Sequence, residues 1–146
     1  MRELLQALTR VATGGFWLYF ASQKWGGVGW VQPLMVSGNE NNPVPGLHQL
    51  LVSIVSPHWQ GFAIAQTVGE TAVGALLVLG IATVPAAWLG VVLSAGLCLT
   101  VAFATPDVGA RWLYYLAVLV NLQIAINGPG SPALGRIGAV GRWLRS

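Results

Sequence analysis

Glu70 stands in the middle of an otherwise uncharged apolar stretch running from His58 to Ile81. A carboxylate near mid-bilayer costs ~2.5 to 3.5 kcal/mol even on insertion scales, so it requires a compensating partner. Gln66 and Thr67 precede it by one helical turn and Gly74 follows by another, which places a polar strip on one side of a helix. Arg10 lies about two turns inside the first apolar stretch, and the expectation is an Arg10 and Glu70 pair across two helices, with Arg10 snorkelling only partly. Two readings of that pair stand side by side. It either fixes the register of two helices, or it makes Glu70 a proton carrier beside a quinone or substrate pocket, with Arg10 influencing its charge. Glu70 and Arg10 are the candidate catalytic residues, and Gln66, Lys24, Trp25 and Asn121 the candidate contacts to a bound cofactor. Asn121 shares a helical face with Tyr114, Ala117 and Ala125, which lets it hydrogen-bond into the same interior.

Other chemistries find less support. His48 and His58 are ten residues apart, and two histidines without further Cys, His or carboxylate ligands do not make a zinc or copper site. Glu40 and Asp107 read as residues that cap or solvate loops. Cys98 is the single cysteine, so the chain holds no internal disulfide, CxxC pair or cysteine-ligated cluster, and no base or cation neighbours it in sequence to activate the thiol. No CxxCH attachment, helically spaced histidine pair, phosphate-cradling glycine loop or Ser-His-Asp set occurs. Haem, metal and Fe–S cofactors are not expected.

These residues must be positioned by helices in a lipid solvent. Hydrophobic residues make up 55% of the 146-residue chain and charged ones 8%, far too apolar for a soluble domain. At ~20 apolar residues per crossing there is room for about four helices. The expected fold is an all-α integral membrane four-transmembrane-helix bundle forming one domain over 1–146, with helices at about 4–25, 58–81, 85–105 and 110–127. Lys24 and Trp25 close the first helix as an interfacial anchor. The bulky Phe16, Trp17, Tyr19 and Phe20 stand where a signal peptide would need small residues, so the first helix is expected to be retained. Residues 26–46, rich in Gly, Pro and Asn, read as a long loop. Leu47, Leu50, Leu51, Ile54 and Val55 read as a short periplasmic amphipathic helix, and Leu134 to Leu144 as a C-terminal interfacial helix. A ridge of Ala86, Gly90, Ser94, Cys98 and Ala102, and a shorter one of Gly61, Ala65 and Gly69, offer close helix packing.

Arg2 and the three tail arginines lie on one side of the expected bundle, Lys24 and Arg111 on the other, so both termini face the cytoplasm. Trp25, Trp30, Trp59 and Trp112 then form an outer aromatic belt, with Trp88 and Trp143 near the inner interface. The net charge of +3 rests on only seven Lys and Arg, scattered or terminal, and points to lipid headgroups rather than nucleic acid.

Arg10, the aromatic run leading to Ala21-Ser22-Gln23-Lys24-Trp25, the loop ending Pro43-Val44-Pro45, Pro57-His58, and the stretch Gly69-Glu70-Thr71-Ala72-Val73-Gly74 through Leu79-Gly80-Ile81-Ala82-Thr83 together resemble the DoxX-like membrane family. The likeness is strongest to its DoxD branch, the small subunit of thiosulfate:quinone oxidoreductase, and covers most of the chain. Arg10, Lys24 and Glu70 carry most of it. Many relatives have an Arg after the Thr of the second turn, where this chain has Val84-Pro85, so no role of that residue carries over. The resemblance implies a multi-pass subunit of a prokaryotic inner membrane, quinone as cofactor, a partner membrane subunit or homo-oligomer, and transfer of electrons from a reduced sulfur substrate to quinone. A non-catalytic scaffold of a larger membrane redox complex is the alternative. A small transporter has less behind it, since neither broken helices nor an internal repeat is evident.

Overall fold

A computed structural model describes residues 1–131, and every regular element among them is helical. The expected C-terminal interfacial helix lies outside the described residues. The order is α1 (Arg2–Trp25), α2 (Val31–Glu40), α3 (Pro45–Leu50) running into a π-helical turn (Leu51–Val55), α4 (Trp59–Leu79), α5 (Thr83–Leu99) continued by a 3-10 turn (Val101–Ala104), and α6 (Val108–Asn127). Among the described residues, three segments are long and apolar enough to cross a membrane: Trp59–Leu79, Thr83–Ala104 and Val108–Asn127. The protein is therefore suited to a lipid bilayer. α1, at 24 residues, is as long, but Gln6, Arg10, Gln23 and Lys24 reduce its apolar character.

Helices α1 and α4 pack closely, as do α5 and α6, while α4 and α5 join the two pairs. The α4–α5 connection is tight because Gly80 adopts φ 69°, which lets its N–H reach back to Leu77 and the Ile81 N–H to Leu76. α1 and α4 run antiparallel and approach most closely at Gly14 and Gly74. A methyl group on Gly14 would lie 2.8 Å from the Gly74 carbonyl, and one on Gly74 would lie 2.7 Å from Leu18. Bare backbone is the price of that contact, as in other membrane helix pairs. Trp17, Val73, Leu77, Ala86, Ala87 and Ile124 form the centre of the core.

The α5 ridge is observed: Ala86, Gly90, Ser94 and Ala102 are buried and Cys98 is half-buried. The α4 ridge is not, because Gly61 and Ala65 are exposed. The buried stripe of α4 is Ala63, Thr67, Glu70, Val73, Gly74 and Leu77.

Residues 26–46 are not a continuous loop, since α2 occupies half of them. Pro33 falls in the first turn, where a missing N–H leaves no helical bond unmade. Val31 and Met35, one turn apart, bury against Leu51, Val55 and Ala63. Gly38 rests on the Thr100 carbonyl with no room for a side chain. The α5 helix breaks there, and Asn42 Nδ2 takes up the freed Leu99 carbonyl at 2.6 Å. The amphipathic segment is helical as expected, but it turns Leu51 and Val55 into this small core and leaves Leu50 and Ile54 exposed.

Candidate functional site: a buried ion pair on an aromatic cavity

The lining of the site begins with a spacing of four on α1. Phe16, Phe20 and Lys24 lie on one stripe, so the helix presents an aromatic face that ends in an ammonium group. Lys24 Nζ sits 2.6 Å from Glu70 Oε1 and 2.5 Å from Oε2, and Gln66 Nε2 donates to Oε1 at 3.0 Å. Glu70 is 1% exposed and the Lys24 side chain 10%. The carboxylate thus accepts three hydrogen bonds and is matched by one charge, the condition under which a buried ion is tolerated.

The expected Arg10 and Glu70 pair is not formed. Arg10 Nη1 donates instead to the carbonyls of Leu77 at 2.6 Å and Val78 at 3.3 Å. These belong to the last turn of α4, where carbonyls lack helical partners and the helix dipole favours a cation. Seven residues separate Glu70 from Leu77, a rise of about 10 Å, which puts Arg10 at the opposite end of the α1–α4 contact from Lys24. Lys24 is accordingly no interfacial anchor; its ammonium turns inward.

Trp25 also engages α4, donating its indole N–H to Thr71 Oγ1 at 3.1 Å while its ring stays exposed. Asn121 is fully buried elsewhere. Its Oδ1 accepts the Trp17 indole N–H at 3.2 Å, its Nδ2 donates to the Ala117 carbonyl at 2.7 Å, and Gly90 gives it space. Of the expected site residues, the structure brings Glu70, Lys24 and Gln66 together, sets Trp25 beside them, and places Arg10 and Asn121 apart.

Lys24 and Glu70 form part of the wall of a cavity of about 290 Å³. Phe16, Trp17 and Phe20 of α1, Leu97 of α5 and Val101 line it, together with Leu113 and Tyr114 of α6, and Trp30, Val31 and Leu34 close the α2 side. Sequence reasoning missed Tyr114 as a lining residue and the aromatic stripe that accompanies Lys24. The signal was present in the four-residue spacing of Phe16, Phe20 and Lys24. Chemically, the cavity offers a flat aromatic environment, one ammonium and carboxylate pair, and a phenol. This donor set fits the head of a quinone: planar, apolar on both faces and hydrogen-bonding at its carbonyl oxygens.

His48 and His58 are structural. His48 Nδ1 meets the Asn39 carbonyl at 3.1 Å and His58 Nδ1 the Ile54 carbonyl at 2.9 Å. No cluster of three or more His, Cys, Asp or Glu suited to a metal ion occurs among the described residues. Asp107 caps α6 by accepting from Gly109 N at 2.9 Å.

No family model, no curated protein and no solved structure matches the chain.

Proposed function

We propose that the protein is a membrane subunit of a quinone-linked oxidoreductase, similar to the DoxD-type subunit of thiosulfate:quinone oxidoreductase. The observation that carries this reading is the Lys24 and Glu70 pair, buried in the wall of an aromatic cavity. A pair serving only to join two helices has no need of an adjoining cavity, whereas a pair beside a planar ligand can donate from Lys24 and exchange a proton at Glu70 Oε1 or Oε2. Gln66 holds the carboxylate in place, and Tyr114 is among the residues that line the same cavity. In this reading α1 is a fourth crossing, both termini are cytoplasmic, α2 and α3 lie at the periplasmic face of an inner membrane, and a partner subunit or second copy completes the enzyme. Two thiosulfates joined as tetrathionate release two electrons, and a quinone taking up these electrons and two protons leaves as quinol. The chain's own contribution is to bind the head, exclude water and move a proton at Glu70.

The test is thiosulfate-dependent reduction of a quinone analogue by protein purified with its partners in mild detergent. Glu70→Ala abolishes it and the exposed α5 control Val92→Ala does not. Unchanged turnover in Glu70→Gln, together with lowered thermal stability, would leave the pair a purely structural role and favour a non-catalytic scaffold. That second reading draws on the three hydrogen bonds by which the chain itself satisfies Glu70.

A further inference from the structure

The seam between α1 and α6 is the loosest in the bundle, since these helices touch far less than α1 and α4 or α5 and α6. Hydrogen bonds join the two helices at the N-terminal end of α1 and again further along. Gln6 Nε2 reaches the Asn127 carbonyl at 3.4 Å, Ser131 N reaches the Glu3 carbonyl at 3.4 Å, and the Trp17 to Asn121 bond crosses beneath it. Along the seam lies an open groove of about 420 Å³, lined from α1 by Ala12, Thr13 and Phe16 and from α6 by Leu113, Leu116 and Ala117. Phe16, Leu113 and Ala117 also line the Lys24 cavity, so groove and cavity are neighbours with only these side chains between them.

We infer that the groove holds the isoprenoid tail of the quinone whose head occupies the Lys24 cavity, and that the α1–α6 seam is its lateral portal from the bilayer. This rests on the quinone reading above and specifies how such a ligand enters. The cavity, at about 290 Å³, is at the small end for ligand sites and accommodates a head group without a long tail. Its other sides are lined by Glu70 of α4, by Trp30, Val31 and Leu34 on the α2 side, and by Leu97 and Val101. The groove suits a hydrocarbon chain because most of its lining is apolar and two of its polar members are already satisfied: the Thr13 hydroxyl bonds to the Thr9 carbonyl at 2.8 Å, and Asn121 is held by Trp17 and Ala117. The exposed flanks Leu113, Leu116 and Leu119 place its mouth on an apolar surface, where a membrane-dissolved molecule arrives.

The test measures binding of tail-less dimethoxy-methyl-benzoquinone, and of the same head with two isoprene units, to the full chain in nanodiscs, at matched concentration in the bilayer phase. The tailed quinone binds about tenfold tighter, equivalent to ~1.4 kcal/mol. Ala12→Trp and Leu116→Trp, which fill the groove from opposite walls without touching the Lys24 cavity, each remove most of that preference and leave tail-less binding within about twofold. A diazirine on the second isoprene unit labels wild-type α6 around Leu116, which tests the route without any substitution. The inference is overturned if both variants keep the tailed preference, as when a phospholipid chain fills the groove, if they weaken both quinones equally, or if labelling falls elsewhere. Binding of neither quinone by the wild type would overturn the quinone reading itself, an outcome distinct from loss of the tail route alone.

Discussion

Replacing Lys24 by Met removes the charge but keeps an unbranched apolar stem, so the effect reports on the ion pair rather than on packing. Glu70, at 1% exposure, would then retain only the single bond from Gln66. Leaving one member of a buried pair without its partner costs about 3–5 kcal/mol. At roughly 3 °C per kcal/mol for a chain of this size, Tm falls by about 10–15 °C. Glu70→Gln added to Lys24→Met removes the orphaned charge, and the double variant regains about half or more of the loss, giving a coupling of ~2 kcal/mol or greater. The assay is thermal unfolding in detergent followed by circular dichroism, with all four members of the cycle in the same micelle. A Lys24→Met cost below about 1 kcal/mol with additive effects is the behaviour of a solvent-screened surface pair. That result would refute both the burial of the pair and its place on the cavity wall.

Asn121→Leu strands the Trp17 indole N–H in the core and lowers stability by about 1–3 kcal/mol; adding Trp17→Phe, which deletes the stranded donor, recovers the hydrogen-bond part of that loss in the same melt. Gly38→Val forces α2 off the Thr100 carbonyl, costing about 1–3 kcal/mol, and raises hydrogen exchange in α2 and around Asn42 while α1 and the lower half of α4 keep their protection.

Much of this arrangement can be read from local pattern. The extents of α4 and α6 follow from apolar runs ended by Gly80 and Gly128, and the buried side of α4 follows from the one-turn spacing of Gln66, Glu70 and Gly74, whereas the apolar run to Pro106 hides the break that ends α5 at Leu99. The partner of Glu70 does not. Periodicity assigns a residue to a helix face but says nothing of how far one helix slides along its neighbour, and that sliding decides between Arg10 and Lys24. The α1–α4 register is set where Gly14 meets Gly74, a contact visible only once both helices are in place. α2 was hidden for another reason. Its glycine and proline mimic loop punctuation, while the features that make it a helix are tertiary: Val31 and Met35 against Leu51 and Val55, and Gly38 against the Thr100 carbonyl at the break in α5.

That break and the site depend on the same geometry. α1 ends at Trp25, roughly one turn past the level of Glu70, whereas α4 continues eleven residues in that direction to Trp59, about 16 Å. The space above the end of α1 is filled by α2 and the π-helical turn, held by Asn39 to Ser56 at 3.0 Å and by Asn42 to Leu99. Lys24 can therefore reach inward from a helix end rather than project from a helix middle, and its flexible stem spans to Glu70 while Trp25 anchors the same turn on Thr71. The cavity forms at this junction because α1 stops, α5 breaks and α2 covers them both, which explains how a charged pair and an aromatic pocket come to occupy adjacent positions in so apolar a chain.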